Sequence, residues 1–220
     1  MPITDFLSDL TAPLTTVLGH VGGDEVTWAE LLGFATGAAC VWLTVKGKAW
    51  NFPVGIANNI FFLVLFAGAR LYADAALQVV FLALGAHGWW QWLRGGADRT
   101  GVSVRPAGPR LLAATASLLV PVTWGLTVLL ARAGDSAPFW DALTTALSLA
   151  AQWLLNTRRI ETWYFWIAAD LVYIPLYLSR SLDLTALVYL LFLGLCGLGL
   201  RAWHRDLAAA STPEPAAVPA

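Results

Sequence analysis

Trp163, Trp166 and Asp170 stand at i, i+3 and i+7 in the stretch WYFWIAAD, so on a helix they share one face. Tyr173 and Tyr177 continue the same stripe at i+10 and i+14. Indole faces attract flat cations, and a carboxylate beside them supplies opposite charge, so this stripe suits a flat, positively charged ring. Asp170 is hard to explain as structure alone. A carboxylate near the middle of a membrane helix costs roughly 2.5–3.5 kcal/mol, so it faces a cavity or a partner. The plainer reading of the tryptophans is an interfacial belt. For Trp163, close to the charged flank Arg158, Arg159 and Glu161, belt and binding explain the residue equally well. Trp166 lies one turn deeper, which favours binding.

Composition puts the stripe in a membrane. Only 12% of the 220 residues are charged, 58% are hydrophobic, and the mean hydropathy is +0.66. A soluble domain carries about 25% charged residues. The pattern predicts an all-α integral membrane protein with seven transmembrane helices, over about 27–45, 52–69, 72–93, 111–131, 138–156, 162–179 and 184–203. Residues 1–24 read as an N-terminal interfacial helix, with Ile3, Phe6, Leu7, Leu10, Leu14, Val17 and Leu18 on its apolar stripe. No signal peptide is evident. Residues 206–220, rich in Pro and Ala, read as a disordered cytoplasmic tail. Of the thirteen basic residues, Lys46, Lys48, Arg94, Arg99, Arg105, Arg110, Arg158, Arg159, Arg201 and Arg205 fall on one side of the spans. Arg70, Arg132 and Arg180 fall on the other. That asymmetry places the first group in the cytoplasm, the N-terminus outside and the C-terminus inside.

The chain also repeats itself. Moved by 111 positions, Ile56 falls on Ile167, Phe81 on Phe192, Gly88 on Gly199 and Trp92 on Trp203; at 112, Trp28 and Ala39 meet Trp140 and Ala151. The repeat divides the chain into a first three-helix unit over 25–95, a linker with the fourth span over 96–133, and a second three-helix unit over 134–205. One inverting helix between two odd copies leaves both in the same orientation. That is a parallel repeat about the membrane normal, as in the SWEET transporters, with a substrate site near mid-depth. The shift sets Asn59 opposite Asp170.

Further amides lie within the spans, and each needs a partner in hydrocarbon. Gln78 and Gln152 fit ligand contact and interhelical bonding equally; Asn58 and Asn156 fit interhelical bonding better. His87, beside Trp89, Trp90 and Trp92, reads as a local hydrogen-bonding group. His20, His87 and His204 are scattered, and Cys40 and Cys196 sit in apolar runs, so neither a metal site, a cofactor site nor an enzymatic constellation is indicated. Lys46 and Lys48, both in a loop, leave no lysine in the last helix for a retinal Schiff base. No GxxxxGK[ST] loop exists for ATP-driven transport, and nothing points to nucleic acid.

With these residues assembled, the chain resembles the PnuC family of vitamin transporters over about residues 27–205. The resemblance rests on Trp163-x-x-Trp166-x-x-x-Asp170, matching the family's WxxWxxx(N/D) motif. The DALTTALSLAAQWLLNTRRIETWY, LYADAALQ and GWWQW runs support it. It implies a SWEET-like fold and uptake of nicotinamide riboside by facilitated diffusion with alternating access. A cytoplasmic kinase would trap the substrate by phosphorylation and feed NAD biosynthesis. It implies a bacterial-type plasma membrane and a substrate site at Trp163, Trp166 and Asp170 with help from Gln78 and Gln152; the helical stripe adds Tyr173 to that site and the internal repeat adds Asn59. Asp170 is the acidic variant of a position where Asn also occurs, and Phe81 stands where Tyr is expected. Both bear on the choice among nicotinamide riboside, thiamine, riboflavin and nucleosides; a carboxylate beside indoles favours the two cations over neutral riboflavin, and the resemblance puts nicotinamide riboside ahead of thiamine. A receptor or scaffold without transport is the alternative class, and the sequence leaves a homo-oligomer open.

Overall fold

Thr27 and Glu30 start the first long helix by holding each other's backbone. The Glu30 amide donates to the Thr27 hydroxyl at 3.3 Å, and the Thr27 amide donates to the Glu30 carboxylate at 2.9 Å; this is a capping box. The computed structural model describes residues 9, 11–21, 24–68, 72–94, 102–180 and 182–211. Seven α-helices fill most of that: α1 Trp28–Val45, α2 Asn51–Gly68, α3 Tyr72–Arg94, α4 Pro109–Arg132, α5 Pro138–Asn156, α6 Thr162–Ser179 and α7 Asp183–Ser211. Each lies within a residue or two of an expected span except at the end of α7. There the helix continues through residues 206–211, which the composition had assigned to a disordered tail; Asp206, Leu207 and three alanines are compatible with helix. Residues 212–220 lie outside the described residues.

The N-terminal expectation needs correction. Ala12–Thr15 is one turn of 3-10 helix, and Val17–Val21 (β1) pairs antiparallel with Asp24–Thr27 (β2). Leu14, Val17 and Leu18 therefore do not share a helical stripe. Pro13 sits at the start of the short 3-10 turn, and Val17, Val21 and Val26 favour strand. Ile3, Phe6, Leu7 and Leu10 lie outside the described residues.

The principal helix contacts close a ring. α1 packs on α2, α2 on α3, α3 on α5, α5 on α6, α6 on α7, and α7 back on α1. α4 stands outside and packs chiefly on α5. By length and composition α1, α2, α4 and α7 are apolar enough to cross a membrane. The other three carry Gln78, the pair Gln152 and Asn156, and Asp170. The outer faces are apolar, with Val120 and Trp124 of α4 73% and 71% exposed, as a lipid-facing surface requires.

The tightest packing lies at one end of the ring, in a core of Val45, Phe52, Trp92, Leu155, Ile160, Trp163, Cys196 and Trp203. Two glycines permit it. A Cβ on Gly88 would strike Phe52 and the Asn156 amide, and one on Gly199 would strike the Trp163 indole. At that end the strand-like segment before α4 is bonded to the α5–α6 loop. The Arg105 amide donates to the Arg158 carbonyl and the Ile160 amide to the Arg105 carbonyl, both at 3.2 Å, and the Glu161 carboxylate accepts from the Ala107 amide at 2.8 Å. At the opposite end Arg180 pairs with Asp141 at 2.8 Å.

Candidate functional site

The ring encloses a cavity of about 390 Å³. α6 brings Trp163, Trp166, Asp170 and Tyr173 to its wall because the 3.6-residue period puts them on one face. Asn59 reaches it from α2, Gln78 from α3 and Gln152 from α5. All seven residues singled out in the sequence thus meet in one place.

Their environments differ. Asp170 is 4% exposed, and its Oδ2 accepts a long hydrogen bond from the Cys196 thiol at 3.7 Å. Among the described residues no Lys, Arg or His forms an ion pair with it. A carboxylate so placed is an acceptor in search of a cation or of hydroxyl donors. Trp163 is 1% exposed and edge-on to Trp203, with centroids 5.4 Å apart and planes at 82°. The belt reading of this residue therefore fails, and it forms the inner end of the cavity. Its buried Nε1 has no hydrogen-bond partner among the described residues. Trp166, partly buried, is the freer indole of the two. Tyr173 stacks on Tyr177 at 5.5 Å and leans on Tyr189 at 4.6 Å, so three phenols from α6 and α7 form one cluster.

The amides divide by role. Asn58 donates to the Gly33 carbonyl at 3.2 Å and to the Thr36 hydroxyl at 2.6 Å, tying α2 to α1. Asn156, fully buried, donates to the Leu84 carbonyl at 2.8 Å, tying α5 to α3, and accepts from Gln152 at 3.0 Å. Both are interhelical bonds, as expected. His87 lies 3.4 Å from the Asn156 amide and stacks on Trp153 at 6.0 Å.

Sequence reasoning missed Tyr189 and Cys196 of α7, Cys40 and Thr44 of α1, and Ser148 of α5, all on the wall. For Tyr189 a signal existed. Eight pairs of wall residues stand 111 positions apart: Gly37 and Ser148, Val41 and Gln152, Thr44 and Leu155, Gly55 and Trp166, Asn59 and Asp170, Phe62 and Tyr173, Gln78 and Tyr189, Phe81 and Phe192. Cys196 offered none, because a thiol in an apolar run reads as packing.

A family model described as the nicotinamide mononucleotide transporter matches residues 27–205. The nicotinamide riboside transporter PnuC of Escherichia coli is 25% identical over 218 residues, covering 85% of this chain and 91% of that protein. The riboflavin/roseoflavin transporter RibM of Streptomyces davaonensis is 28% identical over 189 residues, covering 81% and 85%. Among solved structures, a crystal structure of the vitamin B3 transporter PnuC superposes with a TM-score of 0.68 at 20% identity, over 94% of this chain and 91% of that one.

Proposed function

The chain belongs to the nicotinamide mononucleotide transporter family, multi-pass membrane proteins that carry vitamins and are not enzymes, and from that premise we propose that it takes up nicotinamide riboside. The observation that carries this is Asp170: a buried carboxylate in the cavity wall, one turn from the Trp166 indole and without a cationic side chain as partner. Nicotinamide riboside brings a flat pyridinium charge for the indole and carboxylate, and ribose hydroxyls for Asp170, Asn59, Gln78 and Gln152. A cation against an indole in a water-poor site is worth about 2 kcal/mol. Thiamine is cationic as well and ranks second.

Riboflavin has one observation in its favour: the match to RibM at 28% identity. It is neutral and larger, and it would stack on Trp166 while leaving Asp170 uncompensated. A cavity of about 390 Å³ lies toward the small end of the range for ligand sites, which fits one ring and one sugar better than three fused rings.

The transport reading is facilitated diffusion by alternating access, with α1–α3 and α5–α7 rocking about the cavity. Exchanging the two triplets maps every principal contact of the ring onto another, α3 on α5 becoming α7 on α1. With the eight wall pairs, this supports a twofold-like repeat in which all seven helices cross the membrane and α4 serves as the inverting link. The basic loops around Lys46, Arg105 and Arg158 are bonded together at one end; the charge asymmetry makes that end cytoplasmic, where a kinase would trap the product for NAD synthesis. Reporter fusions at Leu207 should read as cytoplasmic.

Titration calorimetry of the purified protein with nicotinamide riboside, thiamine and riboflavin decides the ranking. Riboflavin binding more tightly than both cations would overturn it. In liposomes, uptake should stop at equal concentrations on the two sides under an imposed proton or Na⁺ gradient. Accumulation beyond that would show coupling, and no saturable uptake of any of the three would favour a receptor or scaffold.

A further inference from the structure

Below the cavity the two triplets are joined by a reciprocal pair of bonds that the ligand-binding reading does not use. The Trp92 Nε1–H of α3 donates across to the Leu155 carbonyl of α5 at 3.0 Å, and the Trp203 Nε1–H of α7 donates across to the Thr44 carbonyl of α1 at 3.3 Å. The donors are 111 positions apart, and so are the acceptors. Thr44 and Leu155 line the cavity, and Trp92 and Trp203 are buried, 6.1 Å apart. These two cross-bonds make its floor.

Arg158 lies against that floor. Its guanidinium sits 4.5 Å from the Trp92 ring centre and 6.0 Å from that of Trp203. It donates to the Val102 carbonyl at 2.9 Å and to the Gly47 carbonyl at 3.2 Å, so one side chain of the second triplet holds the α1–α2 loop of the first and the segment before α4. Its buried Nε–H has no hydrogen-bond partner among the described residues. Burial lowers its pKa from the ordinary guanidinium value, and the Asp206 carboxylate works the other way.

The backbone is as telling. Gly47 and Arg158, again 111 apart, end α1 and α5 with the same two bonds: Gly47 and Lys48 amides to the Thr44 and Leu43 carbonyls, Arg158 and Arg159 amides to those of Leu155 and Leu154. Both hold positive φ, 62° and 55°. Glycine adopts that conformation freely and arginine does so at a cost. An arginine where the matching turn has glycine points to a requirement for its side chain.

We propose that this floor is a gate of the transport path and that Arg158 is its latch. The cavity opens between Thr44 and Leu155 only when the guanidinium leaves the Gly47 and Val102 carbonyls and the two tryptophan cross-bonds part. This rests on the transporter reading. It adds a link from site to gate, because Trp163 touches the cavity on one side and Trp203 on the other.

The two native cysteines, Cys40 and Cys196, both face the cavity, so accessibility is readable on the full chain without added thiols. In sealed membrane vesicles of each orientation, a membrane-impermeant maleimide is applied to wild type and to Arg158→Gly, whose positive φ glycine suits. Labelling from the Arg158 side should rise roughly tenfold or more, the scale expected when a ring contact and two charge-assisted bonds are lost. Labelling from the opposite face should not rise. An Arg158→Gly protein that labels like wild type from both faces overturns the latch, and so does equal acceleration from both faces. Trp203→Phe is the second variant, should Arg158→Gly not reach the membrane folded. It keeps an aromatic ring beside Trp163 and deletes the Thr44 bond. Several-fold faster labelling from the Arg158 side alone supports the gate, and no change overturns it. The assay needs no substrate, so a wrong choice of vitamin would show in calorimetry and leave these results untouched.

Discussion

The wall built by α2 and α3 and the wall built by α6 and α7 present residues at matching positions with unequal chemistry. Gly55, Asn59, Phe62 and Gln78 stand on one where Trp166, Asp170, Tyr173 and Tyr189 stand on the other. The carboxylate, the free indole and both phenols belong to the second. The floor, in contrast, has stayed alike: Phe52 meets Trp92 at 5.2 Å and 80°, and Trp163 meets Trp203 at 5.4 Å and 82°. A Cβ at Gly88 or Gly199 would strike its neighbours there, so the packing that closes the ring leaves little room on either side. Positions that face the cavity differ between the two walls, so under the proposed function recognition is one-sided.

The sharpest way to break that one-sidedness is at the carboxylate and its matching amide, Asp170 and Asn59. Asp170→Leu should abolish nicotinamide riboside binding in calorimetry, and Asp170→Asn should weaken it modestly. Asn59→Leu, its partner across the cavity, should cost about tenfold, the scale of one neutral hydrogen bond. Equal losses at both positions would mean that the ligand lies on the axis and reads both walls.

Trp166 and Gly55 give the next effect. Trp166→Ala should weaken binding about thirtyfold, the equivalent of ~2 kcal/mol for a cation on an indole. Gly55→Ala adds a methyl that meets only the Cys40 sulfur at 3.2 Å, and its binding should stay within a few-fold of wild type. A loss at Gly55→Ala matching that at Trp166→Ala would place the ring of the ligand against the first wall.

The floor should respond evenly. Gly88→Ala and Gly199→Ala each drive a Cβ into a neighbouring ring, and each should destabilise by about 1–3 kcal/mol, read as a lowered Tm in detergent. A clear loss at one glycine and none at the other would show that the two triplets are not packed alike. The smallest change is expected at Arg180→Ala, which removes a partly exposed ion pair with Asp141. Its Tm should shift by the equivalent of less than ~1 kcal/mol.

Much of this was legible in residue order because membrane helices announce themselves by length and apolarity, and because one polar side chain in such a helix is conspicuous. Asp170, Gln78, Gln152 and Asn59 were visible for that reason, and each lines the cavity. Cys196 was not visible, since only its neighbour Asp170 gives the thiol a partner. Arg158 read as one more cytoplasmic charge, and its contacts come from segments far apart in the chain. The hairpin over residues 17–27 was lost to an apolar stripe that fits helix and short strand equally over so few residues.

The separation of α4 from the ring has a consequence for how the protein is made. A ribosome delivers α1, α2 and α3 to the membrane well before α5, α6 and α7, and α4 adds no principal contact to the first three. Until α5–α7 arrive, Asn59 and Gln78 lack the far wall of the cavity they line in the complete fold, and the indole of Trp92 lacks the Leu155 carbonyl it later binds. Unpaired amides in hydrocarbon seek any partner within reach, including another nascent chain. The order of synthesis thus leaves the first three helices without their partners for an interval, and the bond from Trp203 of the last helix back to the Thr44 carbonyl of the first is among the last that the chain can form.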